Sequence, residues 1–186
     1  MHKFKIWIVL FTVTLLACAA GSQFTAEQKT EFEKAIEQLN TPEKVNSWLN
    51  QNLVYDVEKF EASKHAREKR DFWDRNLNWP IETYFKKKGV CHDSSNFACY
   101  VLKKHGYKVE IVTAYYGLST GANAHSVCAF QKDDKWWVCA DTRIATRRGV
   151  RKIAGPFNNL KEVGVYASDP PNSFKEYDLQ NRRRGW

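Results

Sequence analysis

The sequence predicts an α+β fold, with helices from the first half of the chain packed on an antiparallel sheet from the second half. Three observations carry that expectation. The apolar period is helical up to Gly106 and becomes two beyond it. Helix-start signals recur at Thr25, at Thr41-Pro42 and at Pro80. The most regular apolar stripe belongs to the stretch that begins at Cys91, which places a cysteine in the first turn of a helix.

The chain has 186 residues, and its start does not read as folded protein. Lys3 and Lys5, an apolar run from Ile6 to Ala17 and the small residues Ala17-Cys18-Ala19-Ala20-Gly21-Ser22 form an export signal, too short to span a bilayer. Leu15-Leu16-Ala17-Cys18 resembles the bacterial lipobox, in which the cysteine is lipidated and becomes the new terminus. Ala17-Cys18-Ala19 also satisfies the small-x-small rule of ordinary signal peptidase. The expected organisation is a lipoprotein-type signal at 1–17, a linker at 18–24 and one domain at 25–186. The expected location is the bacterial periplasm or cell envelope, with a lipid anchor on Cys18.

Thr25-Ala26-Glu27-Gln28 is a capping box opening a helix whose Phe32, Ile36 and Leu39 share a face and which ends near Asn40. Thr41 caps a second helix with Pro42 at its first position and Val45, Trp48 and Leu49 turned inward. From Asn52 to Asn78 the pattern weakens into helix or extended loop, with a dense charged run from Lys64 to Arg70 that reads as a solvated face. Pro80 starts a short helix with Ile81, Tyr84 and Phe85 on its apolar side and Gly89 as its exit. The next helix runs from Cys91 to His105 and buries Ser94, Phe97, Ala98, Val101 and Leu102. Asp93 suits the positive end of its dipole, Lys103, Lys104 and His105 the negative end, and Gly106 stops it.

Val109 to Tyr116 alternates as a strand with both faces covered, and Gly117 to Asn123 is a flexible loop. Strands at His125–Phe130 and Lys135–Thr142 follow, joined by a polar turn around Lys132-Asp133-Asp134. The stretch after Asp141 carries Arg143, Arg147, Arg148, Arg151, Lys152 and Lys161 with no acidic residue before Glu162, an exposed basic loop. Asn158 to Val165 forms a last helix, and the tail ending Arg182-Arg183-Arg184-Gly185-Trp186 is mobile.

A net charge of +8 with seven Trp, eight Tyr and eleven Phe is a composition that can bind nucleic acid. Export speaks against that partner, and attraction to anionic lipid or cell-wall polymer accounts better for the excess charge. Besides Cys18 there are Cys91, Cys99, Cys128 and Cys139. With no CxxC, no HExxH and no spaced Cys/His quartet, no metal site and no cofactor are expected. If Cys91 stays free, at most one disulfide forms among the other three.

At a helix start, unpaired N–H groups and the dipole favour thiolate over thiol, which makes Cys91 a candidate nucleophile. A nucleophilic cysteine needs a base, and the base needs an orienting acceptor. His2 leaves with the signal and His65 lies in the charged run. His92 is next along the helix, where neighbours point about 100° apart. His105 is roughly 21 Å away along the same helix. That leaves His125, with Asp141 at the exit of the following strand.

Register decides whether these two meet. A two-residue turn at Asp133-Asp134 pairs His125 with Thr142, puts His125 and Asp141 on opposite faces, and sets Cys128 opposite Cys139, where a cross-strand disulfide can form. A three-residue loop, or a bulge, brings His125 and Asp141 to one face. In a regular hairpin the catalytic pair and that disulfide exclude each other.

Cys, His and Asp in this order, on a helix start and two successive strands, resemble the transglutaminase-like superfamily, a branch of the papain-like fold. The resemblance runs from Trp79-Pro80 through Gly89-x-Cys91-x-Asp93 and Leu102-x-x-x-Gly106 to His125 and Asp141, and is closest to the bacterial transglutaminase-like cysteine proteinases. It implies attack by Cys91 on an amide carbonyl, with His125 as base and acid and Asp141 as its orienter. The periplasmic proteinases often carry an acidic residue after the cysteine and use nearby acids for calcium; His92 stands there here, so calcium is not carried over. The oxyanion donors expected are the N–H of Cys91 and the indole of Trp79, with Trp73, Trp136 and Trp137 as alternatives. The implied function is hydrolysis of an amide or peptide bond in a protein, peptide or cell-wall peptide substrate. The alternatives are acyl transfer to an amine and a non-catalytic binding module.

Overall fold

The computed structural model describes residues 24–65, 76–116, 123–142, 150, 152–168 and 174–179. The expected signal, Cys18, most of the charged run from Lys64 to Arg70, Trp73, residues 117–122 of the expected loop, the arginines between 143 and 151 and the expected tail beyond 179 lie outside the described residues.

Helix α1 (Ala26–Gln38) opens on the expected capping box: the Thr25 hydroxyl accepts from Gln28 N, and the Gln28 side chain accepts from Thr25 N. Helix α2 (Pro42–Asn52) is capped by Thr41, with proline at its first position. Phe32, Ile36, Val45 and Leu49 are buried, and Trp48 stacks on Phe97 at 4.7 Å. Within the described part of the weak stretch lie a two-residue strand β1 (Val54–Tyr55) and helix α3 (Val57–His65). β1 pairs in parallel with β2 (Lys88–Gly89).

Helix α4 (Pro80–Lys86) exits at Lys87, which takes the left-handed conformation at φ 50°. Gly89, expected as that exit, has a different task. A Cβ there would lie 2.8 Å from Asp93 Cβ, so the glycine makes room for a side chain that folds back over it.

Helix α5 (Cys91–Lys104) is buried on more than the one predicted stripe. Phe97, Ala98, Val101 and Leu102 are fully buried as expected, but so are Asp93, Ser95, Asn96 and Cys99. It lies between α1, α2 and α4 on one side and the sheet on the other. Several of its buried polar groups find backbone acceptors: Ser94 and Ser95 donate to Cys91 O at 2.9 and 2.7 Å, and the Asn96 amide nitrogen donates to Asn78 O at 3.1 Å.

The sheet is antiparallel and ordered β6-β5-β4-β3-β7. Its strands are β3 (Val109–Tyr116), β4 (Asn123–Lys132), β5 (Lys135–Cys139), β6 (Ala154–Phe157) and β7 (Phe174–Leu179). The two edge strands were not predicted. β6 contains Gly155 and Pro156, which read as loop, and most of β7 is exposed and polar. One face carries Ile111, Cys128, Phe130 and Cys139 against α5. The other carries Val112, Ala114, Val127, Ala129 and Val138 beneath helix α6 (Leu160–Ala167), which Asn159 caps.

The β4–β5 hairpin turns on Asp133 and Asp134, at φ 53° and 55°, and Lys132 pairs with Lys135. This is the two-residue register, and Cys128 lies opposite Cys139. The regular ladder stops there. Ala140 is left-handed at φ 57°, held by Asn46, whose side chain accepts from Ala140 N at 3.1 Å. The strand expected to reach Thr142 therefore ends at Cys139.

Candidate active site

Asp93 fixes the start of α5. It is fully buried and accepts from Val90 N at 2.9 Å, Asn78 N at 2.8 Å and Lys59 Nζ at 2.7 and 2.9 Å. A buried carboxylate tied to a lysine and two backbone donors is a strong, directional anchor. It links α3, the segment before α4 and the turn that precedes Cys91. Gly89 and Asp93 thus form one unit around the cysteine, which is the physical content of Gly89-x-Cys91-x-Asp93.

His125 enters from β4 and Asp141 from the chain just past β5. His125 Nε2 lies 2.7 Å from Asp141 Oδ1, and both side chains are almost wholly buried. The two-residue register would set them on opposite faces; the left-handed turn at Ala140 shifts the alternation by one residue and returns Asp141 to the His125 side. Thr142, on the opposite side, then donates to Ser94 Oγ on α5 at 3.0 Å. The second Asp141 oxygen, Oδ2, accepts from Tyr166 of α6 at 2.9 Å.

Cys91 and His125 perturb each other. Burial alone would push the Cys91 thiol up; hydrogen bonds with His125 and His92, and the charges of both rings, outweigh it and bring the thiol down to about 5. Burial would likewise lower His125, but its bonds to Asp141 and Cys91 raise it to about 9. Between those values the pair is thiolate and imidazolium, the charge state of an activated cysteine nucleophile. With Nε2 on Asp141, the other ring nitrogen is the one left for the thiol.

Three neighbours were not singled out from the sequence. His92, set aside because adjacent helical residues diverge, is buried with its ring against Ser126 Oγ, 3.0 Å from Nδ1, and Ser126 in turn meets Thr113 Oγ1 at 2.7 Å. Its ring swings toward β4, the strand that carries His125. Tyr55 is buried beside Gly89, its β-ladder partner. Burial first, then the charge of Cys91, raises its phenol well above the usual range. Tyr166 gave no sequence signal, since a tyrosine near the end of an amphipathic helix reads as packing.

Trp79 precedes α4 and is 46% exposed, and its backbone N–H donates to Glu82 Oε2 at 2.6 Å. Trp136 and Trp137 pair with Gln131 and Phe130, near the turn end of the hairpin and away from His125.

The cysteines resolve differently from either register-based expectation. Cys128 is bonded to Cys99 of α5, not to Cys139, and Cys91 and Cys139 are free. The bridge joins the helix that carries Cys91 to the strand that carries His125. Cys139 is fully sequestered, and burial pushes its thiol up, so it stays an inert packing group. Among the described residues, no group of three or more His, Cys, Asp or Glu side chains is placed to hold a metal ion.

Residues 25–146 match the family model described as a transglutaminase-like domain. Among solved structures, the chain is similar to a crystal structure of a TGase at 16% identity and a TM-score of 0.43, covering 68% of this chain and 36% of that one. It is also similar to Legionella pneumophila LapG in its calcium-bound form, at 20% identity and a TM-score of 0.42, covering 67% of this chain and 71% of that one. The EGTA-treated LapG gives 19% identity, coverage of 67% and 70%, and a TM-score of 0.40. The chain therefore spans only about a third of the TGase chain it resembles. A comparison with curated proteins finds no match. With well over half of its residues inside the family model, and with helices packed on a five-stranded antiparallel sheet, this chain belongs to the transglutaminase-like domain family.

Proposed function

We propose that this protein is an exported thiol-dependent acyl-transfer enzyme that hydrolyses amide or peptide bonds through a thioester on Cys91. One observation carries the reading: the His125 imidazole stands between Asp141, at 2.7 Å, and a Cys91 thiol held near 5 at the start of a buried helix. Family membership supports the same chemistry.

In the proposed cycle the Cys91 thiolate attacks the amide carbon. The oxyanion that forms faces the N–H of Cys91, which as the first helical residue has no intrahelical acceptor. The second donor is either the indole of Trp79 or the hydroxyl of Tyr55. The His125 imidazolium gives its proton to the departing amine and leaves a thioester. Neutral His125 then takes a proton from water, the hydroxide adds to the thioester, and collapse releases the acid and restores the thiolate. An amine in place of water would give transamidation by the same steps.

The proposed substrates are proteins, peptides or cell-wall peptides, met at the cell envelope by an enzyme anchored through lipid on Cys18. The test compares released products from protein and peptidoglycan substrates, with wild type and Cys91→Ala, with and without an added primary amine. New amino termini produced only by wild type support hydrolysis, and amine incorporation supports transfer. No Cys91-dependent product from any substrate, with Cys91 alkylating no faster in wild type than in His125→Ala, would sink the reading. Trp79→Phe and Tyr55→Phe then identify the second oxyanion donor by which one lowers kcat.

A further inference from the structure

The family match ends at residue 146, yet one hydrogen bond into the site comes from beyond it. Asp141 has its Oδ1 on His125 at 2.7 Å and its Oδ2 on the Tyr166 hydroxyl at 2.9 Å. Asp141 is 1% exposed. We propose that Tyr166 is a positioning residue that locks the Asp141 carboxylate so that His125 stays aimed at Cys91, and that α6 is therefore a working part of the site. This rests on the Cys91–His125–Asp141 reading above.

The placement of Tyr166 is determined by the packing of α6. Asn159 caps the helix, its side chain accepting from Glu162 N at 3.0 Å. Val163 and Ala167 of α6 pack on the sheet face that carries Val127 and Val138. Gly164 lets the helix press on β7, since a Cβ there would lie 3.0 Å from Tyr177 Cβ. The Tyr166 ring rests on Phe157 of β6, centroids 5.3 Å apart. A ring held on these sides delivers its hydroxyl to one place.

A carboxylate bonded through one oxygen still turns about its Cβ–Cγ bond and carries the imidazole with it. Fixing the second oxygen removes that rotation. Asp141 lies past the end of β5, just after the left-handed Ala140, so its side chain is placed by contacts with other elements rather than by the strand itself.

The test uses the full chain as wild type, Tyr166→Phe, Asp141→Asn and the double variant. Tyr166→Phe is expected to lower kcat about tenfold with KM unchanged, the scale of one hydrogen bond to a charged group. In the Asp141→Asn background the same change should cost less than twofold, because the group it acts through is gone. An equal loss in both backgrounds, or no loss in either, overturns the proposal.

A substrate-free readout runs alongside. The downfield proton signal of the His125–Asp141 hydrogen bond should move in Tyr166→Phe and disappear in Asp141→Asn. If wild type shows the signal and Tyr166→Phe leaves it in place, this inference alone fails. If wild type lacks it, and Cys91 alkylates no faster than in His125→Ala, the triad reading fails and takes this inference with it. Should Tyr166→Phe loosen α6, 3-fluorotyrosine at position 166 keeps the ring and sharpens the donor; it must then move the same signal.

Discussion

Cys91, His125 and Asp141 work against burial, and their electrostatics set the pH behaviour. The thiol at about 5 and the imidazole at about 9 define a window between them. In the proposed cycle, Cys91 ionises as pH rises through the lower value, and the His125 proton that the leaving amine would take is lost as pH rises through the upper one. The plot of log(kcat/KM) against pH should be bell-shaped, with apparent limbs of the coupled pair near those values. The alkylation rate of Cys91 by iodoacetamide should follow the acid limb alone, and His125→Ala should displace that limb upward. His92 supplies a second, smaller stabilisation of the thiolate. His92→Phe should raise the acid limb by less than His125→Ala does, and an unchanged limb would remove His92 from the site.

At the scale of elements, the site is a joint between α5 and β4, and the Cys99–Cys128 disulfide closes it. Cys99 lies two turns along the helix from Cys91, and Cys128 lies three residues along the strand from His125. A bridge across a separation of 29 residues should stabilise the fold by about 2–4 kcal/mol. A Cys99→Ala, Cys128→Ala double variant should lose that amount in urea unfolding while Cys91 remains the alkylated residue. The start of α5 depends on an equally local fit. Gly89→Ala places a methyl 2.8 Å from Asp93 Cβ, the root of that side chain rather than a flexible tail that could yield. It should displace Asp93 from Val90 N and Asn78 N and cost about 1–3 kcal/mol, measured by the unfolding midpoint.

Across the whole molecule, the sheet is covered on both faces, by α5 with α1 and α2 on one and by α6 on the other. The second cover lies outside the family match. A chain ending at residue 158 would leave Val112, Ala114, Val127, Ala129 and Val138 facing water. Such a chain should lose cooperative unfolding and aggregate, as sedimentation and a urea titration would show. If it stayed monomeric and folded, α6 would be dispensable to the fold.

Local chemistry wrote much of this into the sequence. A capping box, two helix-opening prolines and a change of apolar period from helical to two placed α1, α2, α4, α5 and the three central strands, because those signals act over one or two turns. They also put Cys91, His125 and Asp141 at element ends. The edge strands were illegible because their residues are polar or contain glycine and proline, and pairing with a neighbour alone makes them strands. The face on which Asp141 falls was undecidable in the same way. The hairpin took the register that by itself separates the pair, and a left-handed alanine held by Asn46, 94 residues away, reversed the outcome. Likewise Cys128 had a partner across the ladder and took one from α5 instead. The sequence by itself determined which elements form and which residues stand at their ends, since backbone propensity and capping are settled within a few residues. Only the tertiary structure decided which of those ends meet, because a one-residue shift of alternation, a long-range disulfide and the bond from Tyr166 to Asp141 depend on contacts between segments far apart in the chain.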